Sequence, residues 1–153
     1  MKKAFRNPLK ILFLCTGNSC RSQMAEGFAR QLLGKLVIPF SAGLEAKGLD
    51  PYAIEVMKEV GIDISGQHSK TVDEIAKIEF DYCITVCGHA DENCPVFAAK
   101  TKVIHHGFDD PPKLAAKAKN KKEKLAHYRH VRDEICKYVE SLSVSLKLNS
   151  NSN

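Results

Sequence analysis

A thiol, five small or polar residues, an arginine and a serine follow one another in Cys15-Thr16-Gly17-Asn18-Ser19-Cys20-Arg21-Ser22. Between a strand and a helix, such a loop can wrap so that successive backbone N–H groups converge on one anion. The helix N-terminus adds partial positive charge there. Arg21 can fork two N–H donors onto a tetrahedral oxyanion. The same field favours the thiolate form of Cys15, and Ser22 can donate a hydrogen bond to its sulfur. Read only as a buried strand-end cysteine, Cys15 would leave Arg21 and the run of small polar residues unexplained. The segment therefore predicts a nucleophilic Cys15 in an oxyanion cradle of Thr16, Gly17, Asn18, Ser19, Cys20, Arg21 and Ser22. These are the parts for the first half of a covalent, phosphatase-type displacement.

Two further segments carry reactive groups. In "HHGFDDPP", Pro111 keeps Asp110 out of the helical region and extended on a turn, where its carboxyl could give a proton to a departing oxygen. The same residues also read as an ordinary helix start. The segment "DYCITVCGHADENCP" holds Cys83, Cys87 and Cys94. With His89 these could be taken for zinc ligands, but there is no two-residue cysteine knuckle and Cys83 falls on a strand facing the core. No metal site is expected. Cys20 reads as a spare, oxidation-prone thiol, Cys136 as a helix-packing residue, and His105 and His106 as structural or surface groups.

The elements that must position these groups follow from periodicity. Residues 9–14 form a short apolar run and read as a buried parallel strand. From Ser22 to Leu33, apolar residues recur at helical spacing, with Gly34 as a stop. Residues 37–40 read as a second strand, broken by Ser41-Ala42-Gly43. Asp50-Pro51 supplies an N-cap and a first-turn proline for a helix running to Gly61. A short helix is expected near Thr71 or Val72, strands over 80–86 and 101–105, and a long helix from Lys121 to about Leu146. Strands alternating with helices predict an α/β domain: a four-stranded, mostly parallel sheet with helices on both faces. In such sheets ligands lie beyond the carboxyl ends of the strands, after Leu14 and after Val86.

With 153 residues, 44% of them hydrophobic, the chain suits one domain, expected over residues 1–146, with a frayed tail over 147–153. No apolar stretch approaches the ~20 residues of a membrane helix, and no signal sequence follows the basic start. A cytoplasmic protein is expected, whose six cysteines are not a disulfide framework. The net charge of +5 is uneven: residues 1–112 hold 13 basic and 14 acidic side chains, residues 113–153 hold 10 and 4. No aromatics interleave with those C-terminal lysines, so they read as a solvated face and not a nucleic-acid surface. Nothing suggests an obligate interface, and a monomer is expected.

The run "FLCTGNSCRSQMAEGFAR" resembles the low-molecular-weight protein tyrosine phosphatases. It is more closely similar to the thioredoxin-coupled arsenate reductases built on that fold, and the resemblance extends from about Lys10 to Glu140. It implies that Cys15 attacks arsenate with Asp110 as proton donor, and that Cys87 then attacks Cys15 to release arsenite. Cys94 next resolves the Cys15–Cys87 disulfide, and reduced thioredoxin regenerates the enzyme with no bound cofactor. Cys94 lies seven positions after Cys87, so a bridge between them needs local rearrangement. The alternative is a phosphatase for phosphotyrosine or small phosphomonoesters using Cys15, Arg21 and Asp110. Against it, Pro112-Lys113 stands where those phosphatases carry an aromatic pair. A third reading is a thiol-based sensor that binds without turnover. Some relatives bind potassium near the cradle, for which Asn18, Glu26 and Ser41 are the candidates here. Lys70 stands where a further acidic ligand is expected, so its ammonium is expected to replace the cation.

Overall fold

In strand β1 (Leu9–Cys15), the four residues Ile11 to Leu14 are fully buried. Both faces of this strand are covered, as a continuous apolar run requires in a parallel sheet. The computed structural model describes residues 7–148. It places β1 inside a four-stranded sheet with strand order β2-β1-β3-β4, all neighbours parallel. The other strands are β2 (Val37–Gly43), β3 (Tyr82–Thr85) and β4 (Lys102–His105). The chain leaves β1 toward β2 on one side and returns to β3 on the other, so the switch point lies at the carboxyl ends of β1 and β3. Cys15 and Cys87 emerge there: Leu14 pairs with Thr85, and Val86 N–H donates to the Leu14 carbonyl at 2.9 Å.

The helices are α1 (Arg21–Leu33), α2 (Pro51–Glu59), the short α3 (Gly88–Glu92) and α4 (Pro111–Ala115), and the long α5 (Lys121–Ser145). A 3₁₀ turn spans Val72–Ile75 behind a Thr71/Glu74 capping box. Asp50 caps α2 as expected, its carboxylate accepting from Tyr52 N–H at 2.9 Å, with Pro51 in the first turn. Helix α5 buries Leu125, Tyr128, Val131, Ile135, Val139 and Leu142 along one face. Burying a side chain of this size stabilises the fold by about 1.5–3 kcal/mol. On the same helix, Arg132 is buried and ties α5 to α2 by donating to the Val56 carbonyl at 2.9 Å and to Glu59 at 3.0 Å.

Two sequence expectations change. Ser41-Ala42-Gly43 does not break β2; these residues pair with Phe13, Leu14 and Cys15 and are buried. Small side chains are needed because the cradle backbone lies against the strand end: a Cβ on Gly43 would sit 2.7 Å from Asn18 N and 2.8 Å from the Thr16 carbonyl. Gly34 follows the last residue of α1 as the expected stop, in a right-handed conformation (φ −56°). At the expected tail, Leu148 N–H donates to the Ser143 carbonyl at 2.9 Å and its side chain is buried. Residues 149–153 lie outside the described residues. Among the described residues no helix is long and apolar enough to cross a membrane.

Candidate active site

The loop after β1 wraps around the Cys15 sulfur. Asn18 N–H donates to Cys15 Sγ at 3.2 Å, and Ser22 Oγ lies 2.8 Å from the same sulfur. Asn18 Nδ2 donates to Ser22 Oγ at 2.8 Å, which occupies the hydroxyl oxygen as an acceptor and directs its proton to sulfur. Asn18 takes φ +48°, in the left-handed region that asparagine tolerates better than most residues. Its Oδ1 is held by Gln23 Nε2 at 3.0 Å and Lys70 N–H at 2.9 Å. Gln23 also reaches the carbonyls of Asn18 and His68, and Gln67 Nε2 donates to Gln23 Oε1 at 2.8 Å. Sequence reasoning expected Ser22 to reach the sulfur and Asn18 to order the loop, and missed Gln23 and Gln67 behind them. The available signal was a pair of polar residues, Ser22 and Gln23, on a helix turn that begins an apolar face.

A pocket of about 280 Å³ opens above the sulfur, lined by Cys15, Thr16, Gly17, Ser19, Cys20, Arg21, Lys47, Asp110 and Pro112. Asn18 and Ser22, expected among the residues around the substrate, are fully buried and act from behind the loop. Cys20 is the residue before α1 and is buried. Burial, reinforced by the Asp50 carboxylate, pushes its thiol well up, so its expected readiness to oxidise is opposed by its surroundings. Asp50 itself is fixed by Tyr128, whose hydroxyl donates to Oδ2 at 2.6 Å; burial and that carboxylate hold the phenol protonated.

Arg21 is positioned by the turn before α4. Its Nη1 donates to the Phe108 carbonyl at 2.9 Å, and Nη2 lies 3.7 Å from Asp110 Oδ1. Asp110 is extended (φ −87°, ψ 106°) immediately before Pro111 and begins α4 without capping it through its side chain. The helix-start reading and the proximity to the oxyanion site are therefore both realised in one residue. Phe108 is clamped by rings: His106 lies 4.8 Å and Tyr138 5.8 Å from it, centroid to centroid, and His106 and Tyr138 are 4.0 Å apart. His106 thus buttresses the loop that holds Arg21.

Cys87 is brought to the cradle and Cys94 is not. Cys87 Sγ is buried 3.2 Å from Thr16 Oγ1 and caps α3 by accepting from Ala90 N–H at 3.4 Å. Cys94 lies beyond α3, half-buried, and its thiol is hydrogen-bonded to the buried Cys83. Burial pushes both of these thiols up. Cys136 packs half-buried on α5 near Glu140. Among the described residues no three His, Cys, Asp or Glu side chains converge to hold a metal ion.

Behind the cradle, Ser41 Oγ donates to Glu26 Oε1 at 2.6 Å, and Arg30 pairs with the other carboxylate oxygen. Lys70 Nζ stands among these groups, donating to the His68 carbonyl at 3.1 Å and lying 4.0 Å from Glu26 Oε1. Burial lowers the Lys70 ammonium from its usual range and Glu26 partly restores it. A resident cation would have to share this space with an ammonium, and the residues present do not fit one.

Residues 10–152 match the low molecular weight phosphotyrosine protein phosphatase family. The chain is 47% identical over 137 residues to an arsenate reductase of Halalkalibacterium halodurans, spanning 90% of this chain and 96% of that one. It is 50% identical over 125 residues to an arsenate reductase of Bacillus subtilis, spanning 82% and 88%. A solved arsenate reductase in the oxidized state is similar with a TM-score of 0.74 and 33% identity, over 94% of this chain and 98% of that chain. Fold, strand-loop-helix and sequence agree: the chain belongs to the low molecular weight phosphotyrosine protein phosphatase family.

Proposed function

We propose that this protein reduces arsenate to arsenite through three thiols and draws its electrons from thioredoxin. Cys15 attacks arsenic with its oxyanion in the cradle and against Arg21, and a hydroxide leaves as water with the proton of Asp110. Cys87 then attacks Cys15 Sγ; the S–As bond breaks with its electron pair moving to arsenic, and arsenite departs from a Cys15–Cys87 disulfide. Cys94 attacks Cys87 Sγ, freeing Cys15 as the leaving thiolate, which Ser22 and Asn18 N–H stabilise. The Cys87–Cys94 disulfide is then reduced by the dithiol of thioredoxin. No bound cofactor is needed, and a monomer in a reducing cytoplasm suffices.

The observation that carries this reading is Cys87, a second thiol seated 3.2 Å from the cradle residue Thr16. A hydrolytic phosphatase has no use for it. The relatives named above support the same assignment of substrate. A second reading, phosphomonoester hydrolysis, draws on Asp110 beside Arg21, which would protonate an ester oxygen equally well.

Arsenate-dependent NADPH consumption with thioredoxin and thioredoxin reductase separates the two. Under the relay, the wild type turns over and Cys15→Ser, Cys87→Ser and Cys94→Ser all stop. A silent wild type that cleaves an aryl phosphate, with only Cys15→Ser abolishing cleavage, would assign hydrolysis and leave Cys87 and Cys94 without a role.

A further inference from the structure

Lys47 takes no part in the chemistry described above, yet its side chain lines the pocket over Cys15. Its place is fixed by the backbone: Leu44, Glu45 and Lys47 N–H groups donate to the carbonyls of Cys15, Thr16 and Gly17 at 3.2, 2.9 and 2.9 Å. The stem then lies across the loop, so that a Cβ added to Gly17 would sit 2.8 Å from Lys47 Cδ. The ammonium reaches an exposed partner, Glu45 Oε2, at 3.6 Å, with both side chains more than half exposed. An exposed pair of this kind is weak and readily exchanged.

We infer that Lys47 is a specificity-determining residue of the cradle. It recognises a small, free, doubly charged tetrahedral oxyanion by exchanging Glu45 for the outer oxygens of the ligand. Arg21 serves the inner side of the anion from the mouth of α1, but one cation does not match a doubly charged ligand. A second cation at the rim completes the match. An ester of the oxyanion would carry a substituent where the ammonium and its stem lie. The residue therefore favours the inorganic anion over its esters. The inference deepens the proposed reductase reading but is tested without it, because inorganic phosphate binds the cradle without any electron transfer.

The experiment is calorimetric binding of inorganic phosphate to the reduced, full-length protein at ionic strengths between ~0.01 and ~0.15 M. Lys47→Met keeps the stem and removes the charge; it weakens binding by about three- to five-fold at low salt and flattens the salt dependence. Lys47→Arg restores both. Glu45→Gln, which frees the ammonium, tightens binding by about two-fold. Lys100→Met, which removes an exposed lysine paired to Glu79 away from the pocket, changes neither. Phosphate binding by Lys47→Met with wild-type affinity and wild-type salt dependence would overturn the inference. Failure of arsenate turnover with an intact Lys47 effect would instead count against the reductase reading alone.

Discussion

In the proposed relay the cradle of Cys15 and the segment from Cys87 to Cys94 carry the two halves of one reaction, and they are built in opposite ways. In the cradle, Asn18, Ser22 and Gln23 are fully buried, and Asn18 is hydrogen-bonded to Ser22, Gln23 and the Lys70 backbone. Among the described residues no buried side-chain nitrogen or oxygen is left unpaired. Beyond Cys87, the chain has a five-residue helix, a half-buried Cys94 and a fully exposed Val96. Oxyanion chemistry needs donors that do not reorganise when charge develops. The proposed relay needs the reverse, since in it Cys94 would leave Cys83 and travel past α3 to meet Cys87. Rigidity is thus spent where charge develops, and looseness is kept where a sulfur has to move.

The largest expected effect falls on the rigid half. Arg21→Lys keeps the charge but loses the fork that holds the Phe108 carbonyl and faces the anion. Removing one such donor lowers kcat/KM by about 10²–10³-fold, read from steady-state turnover in the coupled assay. A loss of less than ten-fold would mean that the Arg21 contact to Phe108 is structural and that backbone N–H groups bind the anion alone.

The next effect compares the two halves in stability, from urea unfolding followed by circular dichroism. Asn18→Ala strands buried donors and forces alanine into a left-handed backbone, costing about 3 kcal/mol. Asn18→Gly relieves the backbone part and recovers about 1 kcal/mol. Cys94→Ser, on the loose half, changes stability by no more than about 0.5 kcal/mol. A Cys94→Ser cost equal to that of Asn18→Ala would break the contrast, since the Cys83–Cys94 contact would then be part of the core.

The two halves also differ in how far they could be read from sequence. The run from Cys15 to Ser22 announces itself because nucleophile, cradle and helix mouth are consecutive. The extended Asp110 was legible because proline acts on its immediate neighbour. What escaped depends on contacts between distant segments: Gln67 on Gln23, the Phe108 carbonyl on Arg21, Lys47 across Gly17, and Cys83 as the partner of Cys94. None leaves a periodic trace. Ser41-Ala42-Gly43 misled for a related reason, since small residues suited to a turn are also those that let a loop backbone lie against a strand end.

Lys70 gives the smallest effect and the sharpest test of how complete the rigid half is. Its ammonium sits between Glu26 and the His68 carbonyl while its backbone N–H donates to Asn18 Oδ1, so a cation stands at the back of the cradle. Adding potassium to a sodium-buffered assay should leave kcat/KM unchanged; a several-fold gain would sink the idea. The proton linkage offers an independent check. Burial lowers the folded-state pKa of Lys70 below its usual 10.5, so the folded protein binds fewer protons than the unfolded chain between those two values. Stability contributed at this site therefore rises with pH across that window, as the cost of burying the ammonium is relieved, and the cost is fully present below it. Urea midpoints of the wild type should climb relative to those of Lys70→Met as pH approaches 10.5. Parallel midpoints would mean that the ammonium is solvated at the cradle's back wall and holds nothing in place.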